Sequence, residues 1–137
     1  MKLDVYLHFK GNTREVVNFY SKVFNTSLDQ TFTYGDAPPN PDHPVPDGYA
    51  DKIMHTSMDI AGVKVMFSDV SPDMELAVGD NVALVVNAKD AEEAKKFFNS
   101  LNKDAAVLVP LAKSYFNEAY GMLIDKYGIH WTIGVEL

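Results

Sequence analysis

The 137-residue chain contains no cysteine. Disulfide frameworks, Cys-based zinc sites, thiol redox chemistry and a cysteine nucleophile are therefore excluded. Positive charge is also sparse. Arg14 is the only arginine, and twelve basic against nineteen acidic residues leave a formal net charge of −7. No dense Lys/Arg cluster is present, so the basic patch expected of a nucleic-acid binder is missing. The same balance argues against an anionic membrane surface. No stretch approaches the ~20 apolar residues of a spanning helix. Asp4 falls where a signal peptide would need its apolar run. A soluble, cytoplasmic protein with no nucleic-acid or membrane partner is expected.

What is present suits a packed core. The chain is 47% hydrophobic, and a chain of this length buries roughly two thirds of the surface its unfolded form exposes. Leu3, Val5, Leu7 and Phe9 alternate with other residues, a strand pattern ended by Gly11. Asn12 with Glu15 reads as a capping box opening a helix to about Phe24, with Val16, Phe19, Tyr20 and Val23 at helical spacing. Residues 28–34 read as a second strand. Five prolines at 38, 39, 41, 44 and 46 then make residues 36–48 a long loop, either a cover, a binding loop or a tether. Residues 53–60 and 63–69 read as a hairpin around Ala61-Gly62.

The pattern then repeats. A strand at 81–87 is followed by a second capping box, Asp90 with Glu93, and a helix bearing Ala94, Phe97, Phe98 and Leu101. A strand at 106–111 and a hairpin of 119–125 with 129–135 complete it. The two boxes are 78 residues apart, as are Phe19-Tyr20 and Phe97-Phe98; the hairpin motifs Asp59-x-x-Gly62 and Asp125-x-x-Gly128 are 66 apart. The chain thus reads as two βαβββ modules, 1–70 and 79–137, within a single domain spanning 1–137. The expected class is α+β: one curved, mostly antiparallel eight-stranded sheet with the helices on its outer face.

The string Gly11-Asn12-Thr13-Arg14-Glu15-Val16-Val17-Asn18-Phe19-Tyr20 resembles the vicinal-oxygen-chelate (glyoxalase/bleomycin-resistance/dioxygenase) superfamily. Tyr6-Leu7-x-Phe9, Met54-His55, Phe67-Ser68-Asp69, Pro110-Leu111 and Gly121-Met122-Leu123-x-Asp125-Lys126-Tyr127-Gly128-x-x-Trp131 are similar to its PhnB-like branch. One segment departs from that branch: Tyr115-Phe116 keeps an aromatic pair, but Asn117 and Ala119 replace its Gly and Arg. The branch often carries a demethylubiquinone methyltransferase name. A methyltransferase of the usual kind needs a Gly-rich turn after its first strand, and this chain has only the isolated Gly11 there.

Metal-dependent members of the superfamily hold a divalent ion on four positions, one on the first and one on the last strand of each module. Counting from the Phe-Tyr pair and the hairpin glycines places these on Val5, Met66, Ala83 and Thr132. None of the four binds a divalent cation well. No metal and no cofactor is therefore expected. If Val5, Met66 and Thr132 face a cavity, alternation puts His130 on their side and His8 opposite, with Phe67 and Trp131 packed under the helices. An apolar groove with a few polar groups remains, lined by Val5, His55, Met66, Ala83, Tyr115, His130 and Thr132. Such a lining suits a hydrophobic or aromatic small molecule. Two alternatives stay open: a metal-dependent lyase/isomerase or dioxygenase with a site rearranged around His55 and His130, and a drug-sequestering resistance protein whose acidic balance suits a cationic ligand. The resemblance also implies a homodimer. Asp59 and Asp125 are read as turn formers at hairpin corners.

Overall fold

Both halves of the chain realise the same order of one strand, one helix and three strands. The computed structural model describes residues Met1–Leu137, which divide into two compact units, Met1–Ala77 and Val78–Leu137. The division falls between the modules expected at 1–70 and 79–137. No helix is long and apolar enough to cross a membrane.

In the first unit, strand β1 (Val5–Phe9) leads to helix α1 (Thr13–Val23), then to a two-residue strand β2 (Phe32–Thr33), a 3-10 turn (Tyr34–Asp36), and the hairpin β3 (Ile53–Ile60) and β4 (Val63–Asp69). The sheet order is β1-β4-β3-β2, with β1 parallel to β4 and the remaining pairs antiparallel. Ala61 and Gly62 both take positive φ (52° and 81°), as a two-residue hairpin turn requires. The Gly62 N–H donates to Asp59 Oδ1, so Asp59 acts as the expected turn former.

Helix α1 buries Val16, Val17, Tyr20 and Val23 against the sheet, where Tyr20 meets Phe67 at 6.0 Å between ring centres. The helix begins where expected, but not by the expected device. Asn12 makes no side-chain capping bond. The carboxylate of Asp69, from the end of β4, does that work. Its Oδ1 accepts from Gly11 N (2.9 Å), Thr13 N (3.0 Å) and Thr13 Oγ1 (2.7 Å), and its Oδ2 accepts from Ile53 N (3.0 Å). A buried acceptor 56 residues away from Thr13 supplies the cap. A local sequence motif cannot reveal such a partner.

The second unit repeats the plan with β5 (Leu84–Ala88), α2 (Ala91–Leu101), β6 (Ala106–Ala112), β7 (Tyr120–Ile124) and β8 (His130–Val135), in sheet order β5-β8-β7-β6. Here the cap is local: Asp90 Oδ1 accepts from Glu93 N at 2.8 Å, while the Glu93 carboxylate reaches Lys89 N rather than Asp90 N. Ala94, Phe98 and Leu101 are buried. A Cβ on Gly121 would come within 2.8 Å of Phe98 and 2.9 Å of the Leu111 backbone, so glycine is needed for the helix to approach the sheet. Asp125 Oδ1 accepts from Tyr127 N and Ile129 N, and its Oδ2 from Trp131 Nε1 at 2.8 Å. It closes the β7–β8 corner and anchors the buried Trp131.

The hydrogen-bonded sheets are thus two of four strands, each with one parallel and two antiparallel pairs. The second strand is far shorter than 28–34. Leu28 forms only an isolated bridge to Met58, and the register slips between Phe32 and Thr33. The intervening polar side chains bond across instead: Ser57 Oγ donates to Asp29 Oδ2, and Thr31 Oγ1 shares a hydrogen bond with Thr56 Oγ1. Pro110 lies in β6, an edge strand whose register shifts on either side of Val109.

Replacing Asp69 by Ala orphans three backbone N–H groups and a hydroxyl, each costing about 1–3 kcal/mol when buried. Asp69→Ala is expected to lower the unfolding free energy in urea by about 3–5 kcal/mol or to prevent folding. Asp59→Ala, at an exposed corner, should cost less than about 1 kcal/mol. Equal small losses at both positions would refute the role given to Asp69.

Candidate functional site

Each sheet has one face against its helix and one face without it, and register decides which side chains lie where. In the first unit Val5 pairs with Val65, Leu7 with Phe67 and Phe9 with Asp69; all belong to the helix side. Tyr6 pairs with Met66, Ser57 with Met66, and His8 with Ser68. The open face therefore carries Tyr6, His8, Met66, Ser57 and Ser68. This corrects the expected placement of Val5 and His8. Val5 lies opposite Met66, and His8 lies beside it. The alternation of Leu3, Val5, Leu7 and Phe9 already contained that answer, whereas counting back from the helix landmark missed it by one residue.

The open face is organised by three rings. Tyr6 and His8, two residues apart on β1, stack at 4.4 Å with 20° between planes. His55 meets Tyr6 edge-on at 5.6 Å, and Tyr6 Oη lies 3.2 Å from His55 Nδ1 in a hydrogen bond whose donor follows the imidazole tautomer. Tyr6 remains 42% exposed, while His55 and Met66 are half-buried. The serine hydroxyls are already used internally: Ser57 on Asp29, and Ser68 on the Met54 and Asp69 carbonyls. What the face offers a ligand is aromatic surface, a thioether and imidazole nitrogen.

In the second unit Thr132 pairs with Val85 and with Met122, and Ile124 with His130. His130 and Thr132 share the open face, as expected, with Trp131 and Ile133 buried on the helix side. Val85 on this face is 59% exposed. Ala83 lies outside the sheet, one residue before β5, so the first-strand residue in register with Thr132 is Val85. Tyr115 is fully exposed on the β6–β7 loop and is the first of three successive rings: Tyr115 to Phe116 at 5.1 Å, and Phe116 to Tyr120 at 5.0 Å. Beside it, Phe116, Asn117, Val135 and Leu137 help line a depression of about 420 Å³. Asn117 is a bracket: its Nδ2 donates to Val135 O, and its Oδ1 accepts from Val135 N and Ala119 N.

The chemistry of the donor set decides whether a divalent ion fits. The first-strand and last-strand residues in register are Tyr6 with Met66 and Val85 with Thr132. Neither pair supplies a carboxylate or imidazole. No group of three or more His, Asp or Glu side chains is placed to hold a metal ion. The residues present do not fit the superfamily's metal. The turn after β1 is equally unsuited to a phosphate-bearing cofactor. Free N–H groups at a helix start bind anions, but those of Gly11 and Thr13 are taken by Asp69.

The proline loop is fastened at its base. Tyr34 and Tyr49 stand at its two ends with ring centres 5.4 Å apart, and their hydroxyls donate to consecutive carbonyls, Asp69 O and Val70 O. Arg14 adds a hydrogen bond to the Asp51 carbonyl rather than to a carboxylate. The tyrosine clamp was not visible in the sequence, because each hydroxyl bonds a backbone atom that carries no residue signature.

Comparison with known proteins agrees with the fold. A family model described as "3-demethylubiquinone-9 3-methyltransferase" matches residues 1–134. The chain belongs to that family. Protein YjdN of Escherichia coli is 26% identical over 98% of this chain and 95% of its own length. Protein PA1353 of Pseudomonas aeruginosa has a similar structure at 27% identity, with a TM-score of 0.87 covering 99% of this chain and 98% of that one. A PhnB protein of Bacillus cereus, titled a putative 3-demethylubiquinone-9 3-methyltransferase, matches at 26% identity and a TM-score of 0.82, covering 99% and 100%. A glyoxalase/bleomycin resistance protein/dioxygenase family enzyme from Burkholderia phytofirmans shares the fold at 14% identity, with a TM-score of 0.63 over 98% of this chain and all of its own.

Burial raises the Tyr34 and Tyr49 phenols above their ordinary range. The Asp69 charge adds to this at both, and a Ser68 hydrogen bond opposes it at Tyr34. A raised folded-state pKa stabilises the fold fully below the unfolded phenol value of about 10, and that part is lost as pH rises through the folded value. Urea stability is expected to hold level from these groups up to about pH 10 and to fall above it. The Tyr34→Phe/Tyr49→Phe double variant should be less stable at pH 8 by about 1–3 kcal/mol and fall less steeply above pH 10. Parallel declines of wild type and variant would contradict the clamp.

Proposed function

We propose that this protein binds a hydrophobic or aromatic small molecule on its open sheet face, without a catalytic metal. The observation that carries the reading is the ring cluster Tyr6, His8 and His55 beside Met66. Stacked rings next to a polarisable thioether favour a flat apolar partner. The imidazoles supply the few directional polar contacts that orient such a ligand. Val85, Met122, His130 and Thr132 give the second unit a face of similar character. Methyl transfer draws no support from these residues, since the β1–α1 turn is filled by Asp69.

The same reading includes a homodimer. Its support is the edge strand β6, where Val107, Leu108 and Val109 are all exposed apolar residues. Light scattering at twice the monomer mass is the expected result; a monomer at high concentration would remove the dimer from the reading.

Titration with the neutral fluorescent probe N-phenyl-1-naphthylamine tests the site. Saturable binding is expected. Tyr6→Ala combined with Met66→Lys should weaken it at least about tenfold, equivalent to about 1.4 kcal/mol. Val5→Ala, on the helix side, should leave affinity within about twofold. Equal effects of the two variants would overturn the assignment of the face. Elemental analysis provides the second arm: stoichiometric, tightly bound Ni, Zn, Mn or Fe in purified protein would overturn the metal-free reading and favour a metal-dependent enzyme.

A further inference from the structure

The proline loop does more than span a gap, because it walls a cavity of its own. In the first unit a space of about 810 Å³ lies between Tyr34, Pro38, Pro41, Val45, Pro46 and Met54. That volume lies in the range of drug-sized ligand sites. The wall is pre-formed for a chemical reason. Proline fixes its own φ and loses little freedom on binding, and the Tyr34–Tyr49 clamp holds both ends of the loop to the end of β4. Asn40, His43 and Ser71 add polar groups to this lining, but proline rings, a tyrosine face, a valine and a thioether make most of it apolar, which favours an occupant with an apolar body.

The rim is different in charge. A second depression of about 420 Å³ shares His43, Pro44, Pro46 and Ser71 with the first, and its remaining lining includes Asp42 and Asp73. The Ser71 hydroxyl donates to Asp73, and with a backbone hydrogen bond this holds the Asp73 carboxyl below the usual carboxylate range. Between Lys22 and Lys52 the chain carries no lysine or arginine, while Asp29, Asp36, Asp42, Asp47 and Asp51 fall in that stretch. The rim thus carries two carboxylates, Asp42 and Asp73, beside a mostly apolar wall.

We infer that the proline-loop cavity is a second ligand site, distinct from the open sheet face, and takes a cationic aromatic molecule: the ring system rests against the prolines and Tyr34, and the positive group lies toward Asp42 and Asp73. A tyrosine face at the same site adds aromatic stacking with the ring system.

Proflavine, a planar cationic dye, is the probe. Saturable one-to-one binding is expected, weakening as salt rises. Asp42→Asn/Asp73→Asn should weaken it about three- to tenfold, in keeping with two exposed charge contacts. Val45→Lys, which puts a cation at the cavity wall, should weaken it further. These positions are at least partly exposed, and unchanged melting temperatures confirm that the variants fold. Tyr6→Ala/Met66→Lys should leave proflavine binding unchanged, and the Asn pair should leave N-phenyl-1-naphthylamine binding unchanged. No saturable proflavine binding would overturn the inference. So would binding indifferent to the Asn pair and Val45→Lys, or binding lost only with Tyr6→Ala/Met66→Lys, which would assign the dye to the sheet face.

Discussion

The carboxylate of Asp69 is the constraint on which the first unit depends. It sits at the end of β4, beside β1 on one side and β3 on the other, and accepts four hydrogen bonds from the β1–α1 turn, the start of α1 and the start of β3. One side chain therefore sets the start of the helix and the offsets of its neighbours. Its backbone carbonyl receives the Tyr34 hydroxyl and so also anchors the proline loop. The interaction has a chemical consequence. The start of α1, otherwise open to an anion, is occupied from within by a carboxylate.

Much of this architecture was legible because periodicity and turn chemistry are local. Both hairpins, both helices and the 78- and 66-residue offsets appear in the structure as two units of identical strand order. What escaped was set by long-range bonds. The capping of α1 by Asp69 rather than Asn12, the collapse of the second strand to Phe32–Thr33, and the tyrosine clamp all join residues far apart in sequence. The sheet faces were legible in part. Met66, Thr132 and His130 were placed on the correct faces. Val5 was not, because a count from a helix landmark ignores how the strand alternates before that helix, and Ala83 falls one residue short of β5, where Val85 is the residue in register with Thr132. The alternation of the first strand was the better guide, and it points to Tyr6 and His8.

The family's fold places first-strand and last-strand residues side by side, and this chain fills those positions with Tyr6, Met66, Val85 and Thr132. These are an aromatic ring, a thioether, a branched alkyl group and a hydroxyl, with no carboxylate or imidazole among them. Such a set is poorly suited to a divalent ion and presents mainly apolar surface. The proline loop extends the same theme in the first unit with apolar walls and an acidic rim. A net charge of −7 and a single arginine make both surfaces poor hosts for anionic ligands.

The central claim is that the open face of the first unit, and not the helix side, receives the ligand. The six methionines report on it directly. Met66 lies on the open face, whereas Met58 is buried and pairs with Val65 on the helix side. With methyl-labelled methionine, titration of N-phenyl-1-naphthylamine should shift the Met66 methyl resonance progressively to saturation while Met58 stays in place. A stationary Met66 resonance at saturating probe would contradict the account.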